Sequence, residues 1–183
     1  MKNKGFTLVE LLVAIAIITI LASASFFGYG QRQKEITLQK EANILVSKIE
    51  EVKEMAISAR YFHNNLPTGG YGVYFNISSP NSYIVFADCD GDRSYDTTGS
   101  PCFDPINSTN HAEFIERINF EGGVYIKTLS VPVSITFKPP SPDVIIKTSS
   151  GVLLDELTFK LGISGSSKEK EIHFNSAGLV YVE

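Results

Sequence analysis

Gly5-Phe6-Thr7-Leu8-Val9-Glu10, continued by Leu11-Leu12-Val13-Ala14-Ile15-Ala16-Ile17-Ile18-Thr19-Ile20-Leu21, decides how the rest of the chain reads. From Leu8 to Phe27 the only charge is Glu10, and the other polar residues are Thr19, Ser23 and Ser25. Such a run in helical form rises ~30 Å, which matches the hydrocarbon core of a bilayer. A carboxylate inside it costs roughly 2.5–3.5 kcal/mol on insertion scales, so it calls for a function and a partner. Lys2 and Lys4 precede the run. By the positive-inside rule they leave the N-terminus in the cytoplasm and export the remainder of the chain.

A conventional secretory signal is one reading, with Lys2 and Lys4 as the basic region and Ala22-Ser23-Ala24 as a small-residue cleavage site. An uncleaved anchor is another. Both leave Glu10 without a role.

Gly5-Phe6-Thr7-Leu8-Val9-Glu10 resembles the processing site of type IV pilins and type II secretion pseudopilins, in which a glycine precedes the scissile bond and an aromatic residue comes after it. The resemblance implies cleavage between Gly5 and Phe6 by a prepilin peptidase and methylation of the new Phe6 amine. It also implies that the apolar run is retained, with Glu10 pairing with the Phe6 amine of a neighbouring subunit during filament assembly. An ion pair in a low-dielectric bundle holds only when both charges are present, which makes Glu10 a register device. The partners implied are other pilin or pseudopilin subunits, the prepilin peptidase and the inner-membrane assembly platform. The place implied is the bacterial cytoplasmic membrane, crossed once, and then a pilus or pseudopilus.

The helical pattern continues past the membrane-length run. Leu38, Ala42, Leu45, Ile49, Val52, Ala56 and Ala59 recur at spacings of four and three, opposite a face bearing Gln39, Lys40, Glu41, Lys48, Glu50, Glu51 and Lys53. The stripe predicts a helix packed on its own domain's sheet. Gly28 and Gly30 lie between the two halves, and each costs about 1 kcal/mol relative to alanine in a helix, so a bend is expected there.

After Arg60 the periodicity changes. Asn64-Asn65-Leu66-Pro67-Thr68-Gly69-Gly70 ends the helix. Strands are expected at Tyr71–Phe75, Ser82–Ala87, Glu113–Phe120, Val124–Leu129, Val133–Lys138, Val144–Thr148, Leu157–Leu161, Glu171–Phe174 and Leu179–Val182. One long helix with short strands after it means α+β, a long N-terminal helix on an antiparallel sheet domain, as in the pilin fold. The divisions are a leader at 1–5, a transmembrane and assembly half of the helix at 6–27, an amphipathic half at 28–60 and an exported β-rich domain at 61–183. The stretch from Glu171 to Val180 also resembles the closing hairpin of minor pseudopilin H and FimT-like subunits.

Hydrophobic residues make up 43% and charged residues 20%, so the bulk reads as a folded domain. The formal net charge of −4 argues against nucleic-acid binding by a basic surface. Cys89 and Cys102 lie close together in a polar loop. In an exported domain they read as a disulfide, in a cytosolic one as two thiols.

Asp88-Cys89-Asp90-Gly91-Asp92-Arg93-Ser94-Tyr95-Asp96 is the densest candidate site. Its carboxylates Asp88, Asp90, Asp92 and Asp96 can converge on a hard cation such as calcium, the one cofactor the sequence suggests. The EF-hand pattern is not met, because Arg93 stands where the glycine belongs and Gly99 where the glutamate belongs. The plainer reading is an acidic, disulfide-tethered surface turn. His63, His111 and His173 are isolated in sequence, and no H-E-x-x-H, G-x-S-x-G or P-loop pattern occurs. The functional expectation is a structural filament subunit and not an enzyme. The competing class is a secreted or anchored, calcium-dependent binding domain with a conventional signal.

Overall fold

The computed structural model describes residues 7–26, 29–96, 98–99, 101–139 and 143–183. Among the described residues two helices come first, α1 (Leu8–Phe26) and α2 (Tyr29–Ile57), and twelve strands come after them. Residues 7–23 are exposed at every position. An apolar helix without a polar face has no way to bury itself on one side of a domain, and α1 is left uncovered over residues 8–23. Among the described residues no helix is long and apolar enough to cross a membrane. The bend expected at Gly28 lies outside the described residues, and Gly30 sits inside the first turn of α2.

The α2 stripe is the seam of the molecule. Leu38, Ala42, Leu45, Ile49, Val52 and Ala56 are all buried. The helix stops at Ile57, short of the expected Arg60. Ala59 takes a left-handed backbone (φ 48°), its amide donates to the Ala56 carbonyl, and the Arg60 amide donates to the Met55 carbonyl. These two bonds are a Schellman cap, with alanine in the position where glycine is usual.

The strands are β1 (Gly70–Phe75), β2 (Ser82–Asp88), β3 (Cys102–Asp104), β4 (Thr109–His111), β5 (Phe114–Asn119), β6 (Val124–Ile126), β7 (Val133–Lys138), β8 (Asp143–Thr148), β9 (Leu153–Leu154), β10 (Glu156–Ile163), β11 (Glu169–Asn175) and β12 (Val180–Val182). A strand forms at each of the nine expected places, although the one expected at Val124–Leu129 stops at Ile126, and the pairings are antiparallel. The fold is α+β, with the helix packed on antiparallel sheets.

One sheet runs β5-β2-β1-β7-β8-β9, a second β12-β11-β10-β6, and β3 and β4 form a separate ribbon. Alternate residues of the central strands enter a core shared with α2: Tyr71, Val73 and Phe75 from β1, Val133, Ile135 and Phe137 from β7, and Leu157, Phe159, Leu161 and Ile163 from β10. Phe75 meets Phe159 at 5.1 Å and Phe137 meets Phe174 at 6.0 Å, so the two sheets also touch each other. Full burial stabilises by roughly 1.5–3 kcal/mol for each large apolar side chain. That scale makes the α2 stripe a principal support of the fold.

Replacing Leu45 by alanine is expected to lower unfolding free energy by about 2–5 kcal/mol, because the residue is completely buried and leaves a cavity. Ile36→Ala, at an exposed position of the same helix, is expected to change it by less than about 0.5 kcal/mol. Urea unfolding of the detergent-solubilised chain, monitored by tyrosine fluorescence, checks the pair. Equal losses would show that the stripe is not the buried face.

Candidate functional site

Gly5 and Phe6, the proposed scissile pair, lie outside the described residues. Glu10 does not, and its surroundings are local. The Thr7 amide donates to Glu10 Oε2 at 3.0 Å and the Thr7 hydroxyl to the same oxygen at 2.9 Å. In return the Glu10 amide donates to Thr7 Oγ1 at 3.2 Å. This is a capping box, in which Thr7 closes the N-terminus of α1 and Glu10 reaches back to Thr7. Amide groups that would otherwise be orphaned at the head of an apolar helix are thereby satisfied. The Thr-x-x-Glu spacing is the sequence signal of this cap, and it gives the carboxylate a role within its own chain.

Cys89 and Cys102 are joined in a disulfide. It ties the acidic loop to β3, and closing a loop of this size stabilises by about 3 kcal/mol in the chain-entropy model. The loop is not a freely solvated turn. It folds back over the outer face of the six-stranded sheet, where the Tyr95 ring packs on Phe86 at 5.5 Å and on Tyr74 at 5.1 Å. The Tyr95 amide donates to Ser134 Oγ on β7. This cover explains why every residue of β2 is buried and not only alternate ones.

The loop is wound around two buried carboxylates. Asp88 Oδ1 accepts from the Gly91 amide at 2.8 Å and Oδ2 from the Arg93 amide at 2.8 Å. Glu113 accepts from the Cys89 amide at 2.9 Å and from the Asp96 amide at 3.0 Å. A Cβ at Gly69 would come within 1.7 Å of Asp88 Oδ2, so glycine is required for the carboxylate to lie there. Burial pushes the Asp88 carboxyl up to about 6 against the pull of the Gly91 and Arg93 amides. Burial likewise pushes Glu113 up to about 7, opposed by the Asp96 and Cys89 amides and reinforced by the charge of Asp88.

The four expected calcium ligands are not drawn together as a set. Oxygens of Asp88, Asp90 and Glu113 lie within 4.8 Å of one another, whereas Asp92 and Asp96 are not part of that cluster. The Asp92 carboxylate faces Lys147 Nζ at 3.5 Å. Sequence spacing missed Glu113 because it arrives from beyond the disulfide, next to β5. It also missed a meeting of two histidines: the His63 and His111 rings stack at 3.7 Å, beside Asp104. Burial pushes the Asp104 carboxyl up, but hydrogen bonds from Asn107, Ile106 and Asn64 outweigh it and hold the group down at about 2.

The raised carboxyls make stability depend on pH in a defined direction. Asp88 and Glu113 keep their protons in the folded chain at pH values where the unfolded chain has lost them, given ordinary values of 3.8 and 4.5. Their contribution is therefore fully present below those ordinary values and is lost as pH rises through about 6 and about 7. In the presence of a chelator, the melting temperature is expected to fall between pH 5 and pH 8, and Glu113→Gln is expected to flatten that slope. A slope of the opposite sign would remove the burial argument.

Residues 1–26 match the family model described as the prokaryotic N-terminal methylation motif. No curated protein and no solved structure matches the chain. The match covers the residues in which the Gly5-Phe6 pair, the Thr7–Glu10 cap and the uncovered helix α1 succeed one another. The chain carries a prepilin-type N-terminal methylation motif, consistent with the family of type IV pilins and pseudopilins.

Proposed function

We propose that this protein is a structural subunit, a minor pilin of a type IV pilus or a pseudopilin of a type II secretion system. In this reading it is cut between Gly5 and Phe6, methylated at Phe6 and assembled through its N-terminal helix. The methylation motif at residues 1–26 supports processing by a prepilin peptidase. The observation that carries the assembly role is the exposure of α1. Leu8, Val9, Leu11, Leu12, Ile17, Ile18, Ile20 and Leu21 are each more than half exposed. Apolar surface of that extent needs cover from lipid or from other helices. The reading supplies both in sequence: the cytoplasmic membrane holds the helix first, with the sheet domain exported, and neighbouring subunits hold it after the assembly platform extracts it.

Under this reading Glu10 has two jobs, capping its own helix and meeting the Phe6 amine of the next subunit. The acidic loop adds a cation-binding role, in which calcium would be taken by Asp88, Asp90 and Glu113. The clustering of their oxygens and the raised Asp88 and Glu113 carboxyls support it, because a divalent cation offsets the cost of charge buried there.

N-terminal sequencing of the mature protein tests the processing. A chain beginning at methylated Phe6 is expected, and one beginning at Ser25 would establish a conventional signal instead. Two substitutions separate the jobs of Glu10. Glu10→Gln preserves the cap but removes the charge, and Glu10→Ala removes both. Loss of filament incorporation in both variants is expected, with membrane insertion intact. Normal incorporation of Glu10→Gln would leave the carboxylate with its capping role alone. For the loop, calcium is expected to raise the melting temperature at pH 7.5 and to lose that effect in Glu113→Gln, while an unchanged melt would retire the cation.

A further inference from the structure

The turn after α2 and the β3–β4 ribbon bring together three side chains that the assembly role does not use, and of these only Asp104 has a part in holding the fold. Phe62 and Asn65 exchange backbone hydrogen bonds at 2.8 and 3.0 Å, closing a two-residue turn. The central residues His63 and Asn64 both have left-handed backbones, with φ of 47° and 59°. That is the geometry of a type I′ turn, which asparagine tolerates well and which here lifts His63 at its tip. Across from it, Cys102 pairs with His111 and Asp104 with Thr109 in the ribbon. Asp104 and His111 are therefore diagonal neighbours on one face, within reach of each other.

The three groups converge. One ligand-capable atom from each of His63, Asp104 and His111 lies within 4.8 Å of the other two. The imidazoles lie face to face at 3.7 Å with 4° between their planes. Asp104 is 2% exposed, and its two oxygens are held by five hydrogen bonds. Oδ1 accepts from the Ile106 amide at 2.9 Å, the Asn107 amide at 3.2 Å and Asn64 Nδ2 at 3.3 Å, and Oδ2 accepts from Asn107 Nδ2 at 2.9 Å and from Asn64 Nδ2 at 3.2 Å, so an ion would take an oxygen in place of one of these donors. Thr109 Oγ1 lies 2.9 Å from His111 Nε2 and orients that ring. Ligating groups at metal sites are held in this way by outer partners that set their direction. His63 is exposed and His111 half-buried, so solvent reaches the two rings.

We propose that His63, Asp104 and His111 form a site for a borderline divalent metal of the zinc class. Two imidazoles and one carboxylate are the donor set that zinc takes, whereas calcium and magnesium prefer oxygens alone. Three protein ligands leave a coordination position for water. With metal–ligand bonds of about 2.0–2.2 Å, ligand atoms of one site sit about 3.3–3.6 Å apart with each imidazole lone pair aimed at the ion. Two rings stacked in parallel share no such point, so the exposed His63 ring has to turn out of the stack to bring its nitrogen onto the ion. The bound ion would tie the turn that ends α2 to the ribbon that carries the Cys89–Cys102 bridge, stapling the same corner of the domain a second time. This site is distinct from the Asp88–Asp90–Glu113 cluster and does not rest on the filament reading.

Calorimetric titration of zinc chloride into the full-length protein in detergent micelles tests it, with cobalt(II) absorption as a second readout of coordination geometry. The expected result is saturation at one equivalent, with calcium failing to compete. His63→Gln and His111→Gln are each expected to weaken binding by at least about tenfold. Both positions are solvent-accessible, and circular dichroism of the variants checks that the fold is kept. His173→Gln and Glu113→Gln are expected to leave the isotherm unchanged. The proposal is overturned by absence of a one-equivalent site, by binding that survives both ring substitutions, or by binding that disappears in Glu113→Gln.

Discussion

The burial of one face of α2 is the constraint on which the remaining architecture depends. In a folded protein most of a helix's stability comes from tertiary packing of an amphipathic face and not from propensity. Leu38, Leu45, Ile49 and Val52 supply that face here, and they meet residues from both sheets in a single core. The sheets are short and antiparallel, and both draw on α2 for cover. The opposite condition holds for α1, which is exposed at every position from 8 to 23. The contrast between a helix with an inside and a helix without one is the physical basis of the filament reading.

A second organising element is polar. The loop from Cys89 to Asp96 is fastened over the outer face of the larger sheet by a disulfide at one side and by Tyr95 against Phe86 and Tyr74. Asp88 and Glu113 serve as posts for its amides, each carboxylate accepting two backbone hydrogen bonds. Hydrogen bonds to a charged acceptor contribute more than neutral ones, while burial of the same charge opposes them. The raised Asp88 and Glu113 carboxyls show burial prevailing. The same residues thus hold the loop in place and make it responsive to protons.

Much of the fold was legible because apolar periodicity reports directly on burial. The α2 stripe, spaced by four and three, lies inside, and strands such as Val133–Lys138 and Leu157–Leu161 form where alternation predicts them. The ribbon of β3 and β4 was not legible. Cys-Phe-Asp and Thr-Asn-His show no alternation of apolar and polar residues, and this ribbon exists because of a disulfide and the hydrogen bonds collected by Asp104. The end of α2 was misplaced because alanine, at Ala59, takes the left-handed position usually assigned to glycine. The Thr7–Glu10 cap is legible as Thr-x-x-Glu, because that spacing puts a glutamate within reach of the amide of its own helix cap.

The sequence by itself determined the class of the fold and the prepilin-type motif, since both are encoded in local order: the period of apolar residues, and a short run of residues read at the N-terminus. Tertiary structure alone decided which side chains meet. Glu113 joins Asp88 and Asp90 in place of Asp92 and Asp96, and His63 stacks on His111, although each pair is separated by tens of residues. Spacing along a chain predicts neighbours only within one helix or strand, where the repeat is fixed. Between elements, neighbours are set by how the core closes, and the sites of this protein lie between elements.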